Sequence, residues 1–335
     1  MIQDFLALTL TQQIPQQCEG ETNGFAWKWL AHGALLLEPL NQRESEDHIV
    51  ISAGVHGNET APIELLDSIL SDLNSGDLVL NVRLLVLLGN PSAMAQGERY
   101  QQIDLNRLFS GVHNQYDACE ETQRAAQLES LTKAFFAAPT TGKKWHLDLH
   151  TAIRESHHVR FAMLPFQKID TFSRALFSWL ESADIEAVVV NQAPSGTFSY
   201  FSSHHCGVNS CTLELGKAKP FGANDLSQFT RIDAALRNLI TKGVQDCPES
   251  SGRNILVYQV SQQLTKLSDA FIMKFSDDVK NFTAFKQGEV LAVDGDTTYR
   301  VQQPTEWVLF PNPKVRPGLR AGLMLVAIDQ DTIFQ

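Results

Sequence analysis

Nowhere in the 335 residues does an apolar run approach the ~20 residues needed to cross a bilayer. The opening stretch, MIQDFLALTLTQQ, lacks a basic start, and Asp4 with several Thr and Gln interrupts its apolar run. It therefore reads as neither signal peptide nor anchor. Cysteine is scarce: Cys18, Cys119, Cys206, Cys211 and Cys247 are odd in number, scattered, and form no C-x-x-C. Such usage argues against a disulfide framework and for a reduced, cytoplasmic setting. Basic charge is short as well. A net charge of −11 leaves no surplus to neutralise phosphates, so nucleic acid is not an expected partner. The same charge repels acidic substrates at long range, and any anion site has to be made locally by Arg or Lys. Internal repeats and low-complexity tracts are missing too.

What remains is an ordinary globular composition, 43% hydrophobic and 19% charged. The length suggests one large domain with a smaller companion. Residues 1–45 read as a preamble: a short helix or strand near Phe5–Leu10, then a hairpin signalled by Asn23-Gly24 with Phe25–Leu30 and Ala34–Leu37 around it. Further on, strands are expected at Leu78–Leu88, Trp145–Leu149, Ala187–Asn191 and Ser210–Leu215, and helices at Glu120–Phe136 and Leu226–Thr241. This alternation implies an α/β fold, a mostly parallel or mixed sheet flanked by helices. After Asp246–Gly252 the rhythm changes to short alternating runs broken by Gly288, Asp294-Gly295-Asp296, Pro311, Pro313 and Gly318. The expected division is a catalytic α/β domain over 1–250 and a small all-β domain over 254–335 bordering its cleft.

The chain is organised around VISAGVHGNETAPIE, Val50–Glu64. A β-branched run breaks at Gly54, passes His56, Gly57, Asn58 and Glu59, and enters a helix patterned by Ile63, Leu65, Leu66, Ile69 and Leu70. Loops beyond the carboxyl ends of strands are where open α/β sheets place their chemistry. His56 and Glu59 can face one cation, and catalytic zinc takes three protein ligands. Alone the pair is weak evidence, because ten histidines make H-x-x-E common by chance. A surface histidine beside a helix-capping acid explains it equally well.

Three other stretches change that balance. His150 ends a buried-looking strand in LDLHT, with Asp148 two residues earlier on the same face and able to orient an imidazole. The loop ERYQQIDLNR, beyond another strand end, carries Arg99, Asp104, Asn106 and Arg107. Glu214 lies inside the apolar strand CTLELG, where a carboxylate needs a partner or cation, or else acquires a raised pKa suited to a general base. An edge-strand glutamate facing solvent is the plainer alternative.

These strings together resemble the M14-type zinc carboxypeptidase family, in its succinylglutamate desuccinylase/aspartoacylase branch. SAGVHGNETAP, LLGNP, WHLDLHTAI, GTFSYFS, CTLELGKAKPFG, VLFPNP and GLRAGLML all look like that branch and span nearly the whole chain. The resemblance implies one zinc per subunit on His56, Glu59 and His150, with Glu214 as general acid/base. It implies Arg99 polarising the scissile carbonyl, Asn106 and Arg107 receiving an α-carboxylate, and Tyr200 touching substrate. The implied activity is amide hydrolysis of a small acidic N-acyl amino acid, with N-succinyl-L-glutamate foremost, at the end of arginine catabolism by succinyl transfer. One departure stands out: aspartoacylase has an arginine four residues after the tyrosine, and here that position is His204. That leaves the second carboxylate's partner open, with Arg154 and Arg160 as candidates on charge alone. Alternatives are a hydrolase of another acidic N-acyl amino acid, a peptide carboxypeptidase, or a zinc-binding protein without turnover. His204-His205-Cys206 with Cys211 nearby is a further candidate metal cluster, although its spacing fits no familiar zinc pattern.

Overall fold

The computed structural model describes residue 2 and residues 4–41, 46–167, 172–244 and 255–334. Its core is the strand HIVISA, β4 below, buried along its whole length as a near-continuous apolar sequence in a parallel setting should be. Before it come helix α1 (Phe5–Leu10) and strands β1 (Glu19–Thr22), β2 (Phe25–Ala31) and β3 (Ala34–Pro39). Then follow β4 (His48–Ala53), α2 (Ala61–Ser75), β5 (Arg83–Leu88), α3 (Pro91–Gln96), α4 (Glu120–Ala137), β6 (Lys144–Ala152), β7 (Phe161–Leu164) and α5 (Arg174–Ser182). The first run closes with β8 (Ala187–Val190), α6 (Phe198–Cys206), β9 (Asn209–Lys217) and α7 (Thr230–Lys242). Beyond it lie β10 (Leu256–Thr265), β11 (Ile272–Met273), β12 (Thr283–Lys286), β13 (Val290–Asp294), β14 (Thr297–Arg300), β15 (Thr305–Leu309) and β16 (Arg320–Ile328).

Strands β5, β4, β6 and β9 run parallel and side by side. The chain leaves β4 through α2 to reach β5 on one side, and later places β6 on the other. The gap between β4 and β6 is thus a topological switch point, where the loops diverge and leave a crevice. Alternate residues of β4 face opposite layers. Ile49 and Ile51 pack with Leu66, Leu180 and Leu236 of α2, α5 and α7. Val50 packs with Phe109, Phe135 and Phe198 on the side of α4 and α6. The expected mixed sheet with helices on both faces is the observed one.

After residue 255 the elements are strands, apart from a closing 3-10 turn at Gln330–Ile333. They do not form a detached sheet. β10 pairs parallel with β8, and β16, β15 and β12 extend the same sheet, while β11, β13 and β14 form a separate three-stranded one. The expected boundary at Asp246–Gly252 lies outside the described residues.

Several expectations need correction. Asn23-Gly24 joins β1 to β2, and the pairing of β2 with β3 turns at His32-Gly33 instead. The strand expected over Leu78–Leu88 is paired only from Arg83, because the Asn81 N–H and side chain bond to Ile240 and Thr241 carbonyls at the end of α7. Apolarity there reports burial, not a ladder. The helix expected from Leu226 begins as a 3-10 turn, Leu226–Phe229, which the Asp225 side chain caps through the Ser227 N–H. Strand β6 runs on to Ala152, so His150 sits within it.

Candidate metal centre

Gly54 is where the metal loop becomes possible. Its φ of +66° lets the chain turn sharply off β4, a conformation that L side chains rarely adopt. Gly57 approaches the backbone of α3 so closely that an added Cβ would lie 2.3 Å from Ala93 C. The loop is thereby pressed onto α3 and swings His56 and Glu59 over the sheet edge.

There they meet His150. The ligand-type atoms of His56, Glu59 and His150 lie within 4.8 Å of one another, and all three residues are buried. Glu59 sits between the imidazoles: Oε1 is 2.8 Å from His56 Nδ1, and Oε2 is 2.9 Å from His150 Nδ1. The Thr151 N–H donates to Oε2 at 3.0 Å, and Arg99 Nη1 donates to Oε1 at 2.8 Å. Burial opposes ionisation of Glu59, but the nearby His56 and His150 imidazoles, with the hydrogen bond from His150, outweigh it and hold the carboxyl well below the usual range.

Each histidine turns Nδ1 inward and Nε2 toward a carboxylate. His150 Nε2 is 2.9 Å from Asp148 Oδ2, and His56 Nε2 is 2.9 Å from Asp104 Oδ1. His150 Nδ1 here donates to Glu59 Oε2, and with each Nε2 held by a carboxylate, Nδ1 would be the nitrogen that gives up its proton to ligate a cation. His56 Nδ1, though near Glu59, is off the hydrogen-bond line and is a buried nitrogen with no hydrogen-bond partner. Two nitrogens and a carboxylate, one of those nitrogens orphaned, suit a divalent cation of zinc's type with a position left open.

Beneath Asp148 the polar chain continues into the sheet. Ser52 Oγ donates to Asp148 Oδ1 at 2.6 Å and lies 2.8 Å from His146 Nε2, and His146 Nδ1 is 2.6 Å from Ser202 Oγ. Burial pushes His146 down to about 4, so it is neutral, donating from Nε2 to Ser52 and accepting from Ser202.

Glu214 is the cross-strand partner of His150 in the β6–β9 ladder. Only 8% exposed, it has one carboxylate oxygen, Oε2, with no hydrogen-bond partner. Burial, and then the Glu59 charge, push its pKa up to about 7. This is a buried carboxyl poised near neutrality beside the ligand set, not a solvated edge glutamate.

The remaining expected residues fall around this centre. Arg99 and Arg107 flank Asp104, whose side chain also accepts the Asn106 N–H. Asn106 is buried, its side-chain carbonyl accepting the Phe198 N–H that opens α6. Arg107 is exposed and donates to its neighbour's carbonyl, Asn106 O, at 2.7 Å. Tyr200 lies buried in the first turn of α6 with its ring stacked on His204.

Two candidates for a substrate carboxylate are committed elsewhere. Arg154 donates to the carbonyls of Asp277, Val279 and Pro311, and Arg160 pairs with Asp184 at 2.7 Å. Among the described residues, His204, His205, Cys206 and Cys211 form no ligand cluster, and Cys211 is buried in the apolar core. The sequence placed Asp104 in its loop, but its pairing with His56 was not singled out. Neither was Glu121, whose buried carboxylate pins the 99–107 loop by accepting the Gln101 and Gln102 N–H groups. The D-L-N-R string was visible, but its partner stands 48 residues away.

Comparison with known proteins finds relatives over most of the chain. The family model described as the Succinylglutamate desuccinylase/Aspartoacylase catalytic domain matches residues 45–240, and the AstE/AspA barrel-sandwich hybrid domain matches residues 253–328. A protein named succinylglutamate desuccinylase from Yersinia pestis (strain Pestoides F) is 48% identical over 323 residues, 96% of each chain. The crystal structure of the succinylglutamate desuccinylase from Chromobacterium violaceum superposes with a TM-score of 0.85 at 40% identity, covering 97% of this chain and 98% of that one. The X-ray structure of its counterpart from Vibrio parahaemolyticus gives 0.89 at 37% identity, covering 97% and 95%.

Proposed function

This chain belongs to the succinylglutamate desuccinylase/aspartoacylase family, and we propose that it hydrolyses the amide of N-succinyl-L-glutamate to succinate and L-glutamate with one zinc ion per subunit. His56, Glu59 and His150 would hold the ion. Zinc supplies Lewis acidity toward a carbonyl and toward water at neutral pH. Glu214 takes the proton of the attacking water and returns it to the departing amine, a role worth ~10²–10⁴ in rate. Arg99, free to exchange Glu59 for a developing oxyanion, neutralises the tetrahedral charge. Arg107 forks onto the α-carboxylate, which Lys could not match, and Asn106 shapes its loop.

The observation that carries the reading is Glu214 Oε2: a buried carboxylate oxygen without a partner, on the rung beside His150. A purely structural metal site has no use for such a base, and it is closed by four protein ligands where this set offers three. His204 in place of an arginine disfavours N-acetylaspartate. We place the enzyme in the cytoplasm, at the end of arginine catabolism by succinyl transfer, with no nucleic-acid or membrane partner. Cys18, Cys119, Cys206 and Cys211 are free thiols, the usage a reducing compartment favours.

The test is a panel of N-succinyl-L-glutamate, N-acetyl-L-aspartate, N-acetyl-L-glutamate and a C-terminal dipeptide, each with and without chelator. The first should be the best substrate, and chelation should abolish turnover until zinc is restored. Full activity in metal-stripped protein, or inertness toward all four, would remove the proposal.

A further inference from the structure

A cavity of about 320 Å³ opens between the β2–β3 turn, the start of α3 and the first turns of α4. That volume lies at the small end of the ~300–1,000 Å³ range of small-molecule sites. Its walls include His32, Ser92, Glu120, Gln123, Arg124 and Gln127, and neither a metal ligand nor a residue of the 99–107 loop lines it. The polar groups here have no part in the chemistry described above.

Arg124 is the fixed cation of this cavity. Its Nε donates to Gly89 O at 2.7 Å, its Nη2 to Leu88 O at 2.8 Å and its Nη1 to Gln127 Oε1 at 2.6 Å. A guanidinium has five N–H donors, so Nη1 and Nη2 each keep one unused. Glu120 stands four residues earlier on the same helix, a spacing at which such pairs form, yet the two are not paired. Among the described residues Arg124 forms no ion pair, and burial lowers its pKa to about 10. The β2–β3 turn sits directly on this group: at Gly33, φ +64°, an added Cβ would lie 3.2 Å from Arg124 Nη2. The turn also carries His32, whose buried Nδ1 has no hydrogen-bond partner.

The walls thus carry both signs of charge without pairing them. A plain anion would be repelled by Glu120, and a plain cation by Arg124. A molecule with a carboxylate and an ammonium on neighbouring atoms satisfies both. We propose that this cavity is an effector site for a small α-amino acid, its carboxylate on the spare Arg124 N–H groups and its ammonium at Glu120. The site backs onto the metal loop. Gly89, which Arg124 grips, donates its N–H to Ala53 O, and Asn90 donates to Gly54 O, both at 2.8 Å. An added Cβ on Gly89 would fall 2.6 Å from Val55 Cα, so this strand end and the loop cannot move independently.

The test is calorimetric titration of the metal-free protein with the common L-α-amino acids one by one, and with propionate, ethylamine and inorganic phosphate. At least one amino acid should bind, and the three singly functional probes should bind it ~10-fold or more weakly. Arg124→Gln would also strip two backbone carbonyls of their donor, so two milder variants carry the test. Glu120→Gln removes the ammonium's partner and Ser92→Trp fills the cavity; each should weaken binding ~10-fold or more, whereas Arg107→Ala should leave it unchanged. Absence of binding by every amino acid would overturn the proposal, as would phosphate or propionate binding equally well. Binding lost in Arg107→Ala but kept in Ser92→Trp would place the ligand at the metal centre and overturn it too. Affinity should differ roughly 5-fold or more between metal-free and zinc-loaded protein, and equal affinity would overturn the effector role. Binding to metal-free protein needs neither zinc nor turnover, so this inference and the desuccinylase reading stand or fall separately.

Discussion

His56 and His150 look at one carboxylate from two different constructions. His150 stands within a nine-residue strand, with Asp148 behind it on the same face and Ser52 and His146 below, all at most 1% exposed. His56 rides a glycine loop, and its acid, Asp104, comes from a second loop whose side chain is 20% exposed. The strand-built half gets its geometry from ladder register, which fixes Asp148, His150 and Glu214 before any side chain chooses a rotamer. The loop-built half gets it from contacts: Gly57 against α3, Glu121 under Gln101, Asn106 against α6. Rigidity and adaptability are thus divided across the site. The half holding Glu214 is set by strand register, and the half holding Arg99 and Arg107 is set by loop contacts.

The largest expected effect tests the fixed half. Glu214→Gln should keep the metal, measured by atomic absorption after dialysis, and lower kcat by ~10²–10⁴. Retained hydrolysis would exclude Glu214 as the base. In wild type, kcat/KM should rise with pH along an acid limb at or below about 7, since the base acts when ionised and an ion nearby would draw its pKa down. Stability carries the opposite sign. A carboxyl raised in the folded state loses stability as pH climbs from its unfolded value through about 7. In metal-free protein at pH 8, Glu214→Gln should therefore stabilise by about 3 kcal/mol, and that gain should shrink when metal is present.

The next effect separates the halves. Asp148→Asn should lower metal affinity ~10- to 100-fold, because the buried His150 loses its charged acceptor and nothing nearby can move to replace it. Asp104→Asn should fall at or below the low end of that range. Its visible change should be in KM, because Asp104 also positions Asn106 and the arginines beside it. Equal losses of affinity for the two variants, by competition with a chromophoric chelator, would erase the distinction between strand and loop.

That division also explains what the sequence disclosed. His150, Asp148 and Glu214 were legible because a period of two in an apolar strand tells which residues share a face. The turn at Gly54 and the helix behind Glu59 were legible because glycine, proline and helical spacing act locally. Asp104 as the partner of His56 was not legible, since nothing local to either loop records a contact across 48 residues. Arg154 and Arg160 were candidates on charge alone, and charge with nearness to His150 says nothing of the backbone carbonyls of residues 277–311 that engage the one or of the Asp184 that pairs with the other. The turn of the β2–β3 pair was misplaced because Asn-Gly is a strong signal that β1 also uses.

The smallest expected effect probes how deep the fixed half extends. Ser52→Ala removes the hydroxyl that donates to Asp148 and leaves the His146 Nε2–H facing a methyl. A buried donor stripped of its acceptor costs ~1–3 kcal/mol, so thermal unfolding should register the change clearly. Metal affinity should move by only about twofold to threefold, because Asp148 keeps its bond to His150 and the histidine its tautomer. Combining Ser52→Ala with Asp148→Asn should cost less stability than the two separately, since both cut the same chain, with a coupling of ~0.5–3 kcal/mol. If Ser52→Ala alone reduced metal affinity as far as Asp148→Asn, the chain under His150 would be setting the ligand's electronics as well as its orientation. Additive losses would instead mean that Ser52 and Asp148 act apart, and that the strand needs no relay beneath its carboxylate to hold His150 in place.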